Sequence, residues 1–207
     1  MTPRKELERL HRQIAICRLC PLSESRSQAV PGEGPIGAAV MLIGEGPGEK
    51  EDQQGRPFVG RAGAILDDML EASGLERRAV FITSVVKCRP PENRDPKASE
   101  IEACRGYLDR QIELVDPACI VTLGRFSMAR WFPGSKISRI HGRAERFDSR
   151  LVFPTFHPGA VLHQPRFRSL LEEDFHSLGQ ILSEPRADAQ GSGETGETSD
   201  PTASPRD

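Results

Sequence analysis

No apolar run in these 207 residues reaches the roughly 20 needed to cross a bilayer, so a helical membrane protein is not expected. The opening MTPRKELERLHRQIAIC is charged and helix-like and does not lead from a basic segment into an apolar stretch. No secretory signal is visible, and the expected compartment is the reducing cytoplasm. No internal repeat stands out. Charge of one sign is also lacking, since the formal net charge is −2. Much of that comes from residues 184–207, which hold six acids and two arginines; without them 26 basic residues face 24 acidic ones, or +2. So weak a balance neither establishes nor excludes nucleic-acid binding, and motifs must carry the argument. Cysteine is scarce, at five, and in a reducing compartment these are expected to be metal ligands, catalytic groups or small buried hydrophobes, not disulfides.

The sequence contains enough apolar residues, 37%, for one compact domain, assigned to residues 1–183. Residues 184–207, EPRADAQGSGETGETSDPTASPRD, are rich in Gly, Ser, Thr, Glu and Pro and contain no aromatic or long aliphatic residue. Such a segment cannot bury enough surface to offset its ordering entropy and is expected to be a disordered acidic tail.

Within the domain, apolar β-rich runs occupy 39–43, 80–86, 119–123 and 151–156. Helical periodicity separates them: Ile65, Leu66, Met69 and Leu70 within 61–73, and Ile101, Cys104, Leu108, Ile112 and Val115 within 97–115. Shorter helical stretches are expected at 125–132 and 169–182. Near-continuous apolar strands alternating with helices predict an α/β fold, a three-layer α/β/α sandwich around a four-stranded parallel sheet. Ligands bind such sheets beyond the carboxyl ends of the strands. The residues following the runs are Gly44-Glu45-Gly46-Pro47-Gly48, then 84–88, then Gly124-Arg125, and Phe156-His157-Pro158. Glycines, a carboxylate and a histidine are thereby expected along one edge.

The glycine-rich stretch 44–63, GEGPGEKEDQQGRPFVGRAG, fits neither of the common phosphate-binding patterns. Lys50 is preceded by Glu49 and followed by Glu51, which breaks the P-loop motif, and Gly44 and Gly46 lack the third glycine of a dinucleotide fingerprint. Cys17-Arg-Leu-Cys20 forms one close cysteine pair, and Cys88 and Cys104 form a more distant one. Four thiolates suit zinc or a [4Fe–4S] cluster, and the spacing alone does not separate the two from each other or from a redox dithiol. Cys119 lies inside an apolar run and is expected to pack in the core.

The motif Gly44-Glu45-Gly46-Pro47-Gly48-x-x-Glu51-Asp52, followed by Gly55-Arg56-Pro57-Phe58-Val59-Gly60, resembles the first active-site motif of the family 4 uracil-DNA glycosylases. The resemblance continues through Val86-Lys87-Cys88-Arg89-Pro90-Pro91, Phe156-His157-Pro158 and the arrangement of the four cysteines, over about residues 5–182. It implies a monofunctional enzyme that flips uracil out of single- or double-stranded DNA and hydrolyses its N-glycosidic bond. It further implies a [4Fe–4S] cluster on Cys17, Cys20, Cys88 and Cys104, and a monomer with no membrane association. Gly46 becomes the position where backbone meets uracil and Phe58 the ring stacked on the base; the alternative, an ordinary core aromatic, is outweighed by its Arg56-Pro57-Phe58 context. By the same resemblance His157 donates to uracil O2 as the leaving base becomes an anion. Glu51 stabilises the cationic sugar and orients water, with Glu45 a second candidate.

The loop after His157 resembles one that enters the minor groove, with Leu162 as an apolar wedge and Arg166 and Arg168 as phosphate contacts. The sequence lacks the histidine-bearing basic insertion of relatives that form a covalent uracil adduct, so turnover is expected. One residue departs from the family pattern: Ser84 stands where an asparagine amide is usual. A hydroxyl donates and accepts but is shorter and has no amide plane. Two alternatives therefore stand beside uracil excision: a shift towards hypoxanthine or xanthine, or a catalytically weak DNA-binding protein that keeps the fold.

Overall fold

The computed structural model describes residues 2–184, so the expected tail, Glu184 apart, lies outside the described residues. Helix α1, Pro3–Ala15, starts where Thr2 caps it, the side-chain oxygen accepting from Lys5 N, with proline at the first helical position. It buries Leu7, Leu10 and Ile14, a helical stripe. After the short α2, Leu22–Ser25, come β1, Val40–Gly44, the short α3, Glu49–Gln54, and α4, Arg61–Ala72. Strand β2, Phe81–Ser84, leads through a 3-10 turn at Pro91–Asn93 to α5, Ala98–Val115, whose N-terminus is closed by Glu100 accepting from Lys97 N at 2.8 Å. Strand β3, Cys119–Leu123, is followed by α6, Arg125–Met128, and α7, Ile137–Ile140. The chain ends with β4, Glu145–Phe147, β5, Arg150–Thr155, α8, Ala160–His163, and α9, Phe167–Ser183.

The four apolar runs are all strands and run parallel, but the sheet is five-stranded and mixed, in the order β2-β1-β3-β5-β4. The expectation of four parallel strands is corrected by β4, which pairs antiparallel with β5, Arg146 opposite Leu151. Its three residues are too few and too exposed for any apolar period to mark them. Alternating residues of the buried strands feed two cores. Val40, Leu42, Val121 and Phe153 meet Leu66, Leu70, Leu171 and Phe175 of α4 and α9 on one face. Met41, Ile43, Phe81 and Ile120 meet Leu7, Ile14, Leu108 and Ile112 of α1 and α5 on the other. Helices therefore cover both faces, as buried parallel strands require. Cys119 is buried in β3 as expected. Among the described residues no helix is long and apolar enough to cross a membrane.

Candidate active site

Beyond the ends of the four parallel strands the chain turns into one cavity of about 460 Å³, within the usual range for a small-molecule pocket. Glu45, Gly46, Glu51, Phe58, Ser84 and His157 all line it. Two of its walls are joined past the sheet, since Val85 N donates to Gly44 O at 3.0 Å and Val86 N to Glu45 O at 3.2 Å. The stretch read as a glycine-rich loop contains α3, which ends on the left-handed Gly55. Its Asp52 is buried and takes Ser27 N on both carboxylate oxygens, at 3.0 Å each. That anchor fixes the helix carrying Glu51.

Phe58 sits in the left-handed region at φ 51°, a strained setting for a bulky residue. Its ring is buried against Gly44, where a Cβ would lie 2.8 Å from two ring carbons and 3.2 Å from Ser84 Oγ. Only glycine permits that approach. The ring lies 5.6 Å from the His157 ring, centroid to centroid, with 30° between the planes.

The titratable groups are arranged unequally. Glu51 Oε1 accepts from Val59 N and Gly60 N, both at 2.8 Å, which locks the carboxylate against the start of α4. Burial pushes the pKa of Glu45 up to about 7, partly offset by the Phe126 and Arg125 N–H groups at the start of α6 and by the Arg125 charge. Its carboxylate fits against Gly124 at φ 94°, where a side chain would collide with Glu45 Oε1. Burial pushes the pKa of His157 down to about 4, against a smaller upward pull from Glu51, so the imidazole is neutral at pH 7. Gly159 N lies 3.0 Å from His157 Nδ1. A backbone N–H can only donate, so Nδ1 accepts and the ring proton resides on Nε2.

Of the three DNA-contact candidates, Leu162 lines the cavity and is 38% exposed. Arg166 and Arg168 do not line it. Arg166 lies over the Phe167 ring at 5.5 Å, and Arg168 is paired with Asp68 and Glu172 at 3.0 and 2.9 Å. Sequence reasoning missed three further lining residues, Asn93, Arg94 and Asp95, which follow Pro90 in the cavity wall. Arg94 is held by both oxygens of Glu100, and Asp95 is paired with Arg125. The proline pair at 90–91 was the available signal. Lys87 was also missed as a structural element: it is 1% exposed and lies behind Ser84. Burial lowers its pKa to about 8, against the upward pull of the Cys104 and Cys88 sulfurs.

The expected iron–sulfur cluster is corrected, and with it the metal-ligand role of the cysteines. Among the described residues no group of three or more His, Cys, Asp or Glu side chains is placed to hold a metal ion. Cys17, Cys20, Cys88 and Cys104 border one small crevice as unpaired thiols. Burial pushes the Cys88 thiol up to about 11 and raises Cys104 as well. Cys88 Sγ takes a bond from Arg26 Nη1 at 2.8 Å, and Cys17 Sγ one from Leu19 N at 3.4 Å. Spacing brought the two pairs into one neighbourhood without making them a coordination group.

Comparison with known proteins agrees with the cavity. Residues 31–177 match the Uracil DNA glycosylase superfamily. A type-4 uracil-DNA glycosylase of Sulfurisphaera tokodaii is 47% identical over 87% of this chain and 86% of its own length. One from Thermotoga maritima is 43% identical over 88% and 98%. A type-5 uracil-DNA glycosylase of Pyrobaculum aerophilum is more distant, at 29% over 77% and 76%. With the family profile spanning most of the described fold and the type-4 proteins matching along nearly their whole lengths, the chain belongs to the type-4 uracil-DNA glycosylases of the uracil DNA glycosylase superfamily.

Proposed function

We infer that this chain is a base-excision repair enzyme that hydrolyses the N-glycosidic bond of uracil in DNA and leaves an abasic site. The observation that carries this is the convergence of Gly46, Phe58, Ser84, His157 and the two carboxylates Glu45 and Glu51 on one cavity. The base enters flipped out of the DNA, stacks on Phe58 and meets the backbone at Gly46. The bond from C1′ to N1 breaks with both electrons passing to the base. His157 Nε2–H donates to uracil O2, and a neutral donor already aimed at the developing charge needs no rearrangement during the reaction. Glu51 faces the cationic sugar, orients a water for attack at C1′ and takes its proton. Glu45 is the second candidate for that role: half-protonated near pH 7 it stabilises a cation less well than an ionised carboxylate, while a pKa near 7 suits a base.

Leu162, exposed at the cavity's rim, suits the wedge that fills the gap left by the base. Arg166 suits a phosphate contact better than Arg168, whose charge is already matched by two acids. The enzyme acts as a monomer, since every group named belongs to one chain, and in the cytoplasm, with which four unpaired thiols are in keeping. The test is base release from DNA carrying a single uracil, hypoxanthine or xanthine. Uracil is expected to be released fastest. Faster release of a purine would reassign the specificity to Ser84, and release of none would leave a DNA-binding protein.

A further inference from the structure

Asp174 of α9 is 4% exposed, and the steps above do not use it. Its carboxylate is bonded by Thr155 Oγ1 at 2.6 Å and by His141 Nδ1 at 2.9 and 3.1 Å. A carboxylate only accepts, so the Thr155 hydroxyl and the imidazole Nδ1–H both donate to it. Backbone closes on the same group at Gly142, φ 72°, where a Cβ would collide with Asp174 Oδ1. Burial raises the pKa of Asp174, against the Thr155 and His141 bonds and the His141 charge, which lower it, and Glu173 adds to the rise. A buried carboxylate loses solvation that an apolar residue of similar size would not, so its use here points to a fixed geometry and not to stability.

The geometry in question is that of the strand end carrying His157. Thr155 is the last residue of β5 and lies two places before His157. Pro154 O accepts from Gly142 N and Thr155 O from Gly124 N, both at 2.9 Å. The backbone is thus held at two successive carbonyls, while Asp174 holds the Thr155 side chain. The ring of the intervening Phe156 meets those of His141 and Phe167, with centroids 4.5 and 4.7 Å away. His141 therefore reaches the strand end twice, through Asp174 and through Phe156. These contacts set the direction in which His157 enters the cavity. Donation from Nε2–H requires that direction, and a misplacement of about 1 Å at such a group can cost about 100-fold.

We propose that Asp174 is a positioning residue for uracil excision: through Thr155 and His141 it fixes the end of β5, and thereby aims the His157 Nε2–H at the departing base. This rests on the glycosylase reading above. Asp174 does not line the cavity and acts through His157 without touching the substrate.

The test measures kcat and KM for uracil release from single-lesion DNA in the parent and four variants, with thermal melting to establish that each folds. Asp174→Ala removes the carboxylate. Thr155→Val removes the hydroxyl at nearly constant shape in a residue type that suits a strand, and Thr155→Ser keeps the hydroxyl. The fourth variant combines Thr155→Val with His157→Ala. Asp174→Ala and Thr155→Val are each expected to lower kcat about tenfold with KM changed less than about threefold, and Thr155→Ser to lower kcat less than about threefold. Once His157→Ala has left no imidazole to aim, adding Thr155→Val is expected to lower kcat less than about threefold further. Should Asp174→Ala fail to fold, the Thr155 variants decide alone. An unchanged kcat in Thr155→Val, a loss confined to KM, equal losses in Thr155→Val and Thr155→Ser, or a full tenfold loss added to that of His157→Ala overturns the positioning role alone. A parent that releases no uracil overturns the glycosylase reading, and the positioning role falls with it.

Discussion

Replacing His157 by alanine removes the donor assigned to uracil O2 of the departing base. Its worth follows from two features of the structure. The Gly159 N–H bond to Nδ1 leaves the ring proton on Nε2, and burial holds the pKa near 4, so almost every molecule carries the neutral donor at pH 7. Losing a preorganised donor to a developing anion costs about 100-fold, or roughly 2.7 kcal/mol in the barrier. Single-turnover release of uracil from a single-lesion duplex measures this directly, with thermal melting to check that the variant folds. The melting control matters because Gly159 N–H is left without its acceptor, a loss of about 1–3 kcal/mol in stability where no water replaces it. The pH arm is sharper. An ordinary histidine would charge near 6.5, but His157 stays neutral to about pH 4, so His157 gives the parent no loss of rate between pH 7 and 5. A rate loss below about fivefold in His157→Ala, or a loss seen only in KM, refutes the assignment.

Ser84→Asn is expected to raise uracil release by about one hydrogen bond's worth, on the order of 1 kcal/mol or tenfold at most, in the same assay. Abolished uracil release, in a variant of a parent that acts on another deaminated base, counts against uracil as the substrate. Gly44→Ala places a Cβ 2.8 Å from the Phe58 ring and is expected to displace it, lowering kcat more than about tenfold and stability by about 1–3 kcal/mol; full activity counts against Phe58 as the stacking surface. The pH dependence of stability divides by sign. The unfolded chain takes up protons on His11 and His157 near pH 6.5, while the folded chain does so only near 4, so their contribution is complete above about pH 7 and lost as pH falls towards 4. Glu45 works the other way, binding its proton near 7 in the fold and near 4.5 when unfolded. His11→Gln should therefore gain stability on the parent between pH 7 and 5, by about 1 kcal/mol after discounting for partial exposure, in denaturant titrations; parallel curves refute it.

The parts of this fold that were legible in the sequence are those where burial on both faces wrote a continuous apolar run. Strands β1, β2, β3 and β5 announce themselves that way, and α4, α5 and α9 by a stripe at helical spacing. The site was legible because strand ends deliver their following residues to one edge, so Glu45, Ser84 and His157 were neighbours by topology before any distance was known. What stayed hidden was local or relational. Helix α3 is six residues of charge and amide between glycines and has no apolar stripe to betray it. The Arg94–Glu100 and Asp95–Arg125 pairs depend on how a loop folds back, which composition does not encode. Lys87 reads as an ordinary surface lysine, because burial of a charge is decided by partners, here Gln111 of α5 and Thr83 and Ser84 of β2. The cysteines show the opposite error: spacing suggested a ligand set, while the surrounding apolar side chains and the Arg26 bond govern how the thiols sit.

Strand β4 shows why a mistaken strand count left the site intact. A parallel strand sends its carboxyl end to the edge where β1, β2, β3 and β5 open into the cavity. Strand β4 runs the other way and meets β5 at the latter's start, Phe147 opposite Arg150. Its end therefore lies at the far edge of the sheet and delivers nothing to the cavity. It serves the sheet instead. Without it β5 would be an outer strand with bare backbone N–H and C=O groups and with buried Val152 and Phe153, a template for pairing with another chain. Three residues are enough to cover the first part of that edge, and exposed Glu145 and Arg146 make the new edge short and charged. The residues that fix activity and those that guard the sheet thus occupy opposite ends of β5, so β4 can be altered at Glu145 and Arg146 with little effect on the cavity. Its cost is expected to appear as aggregation.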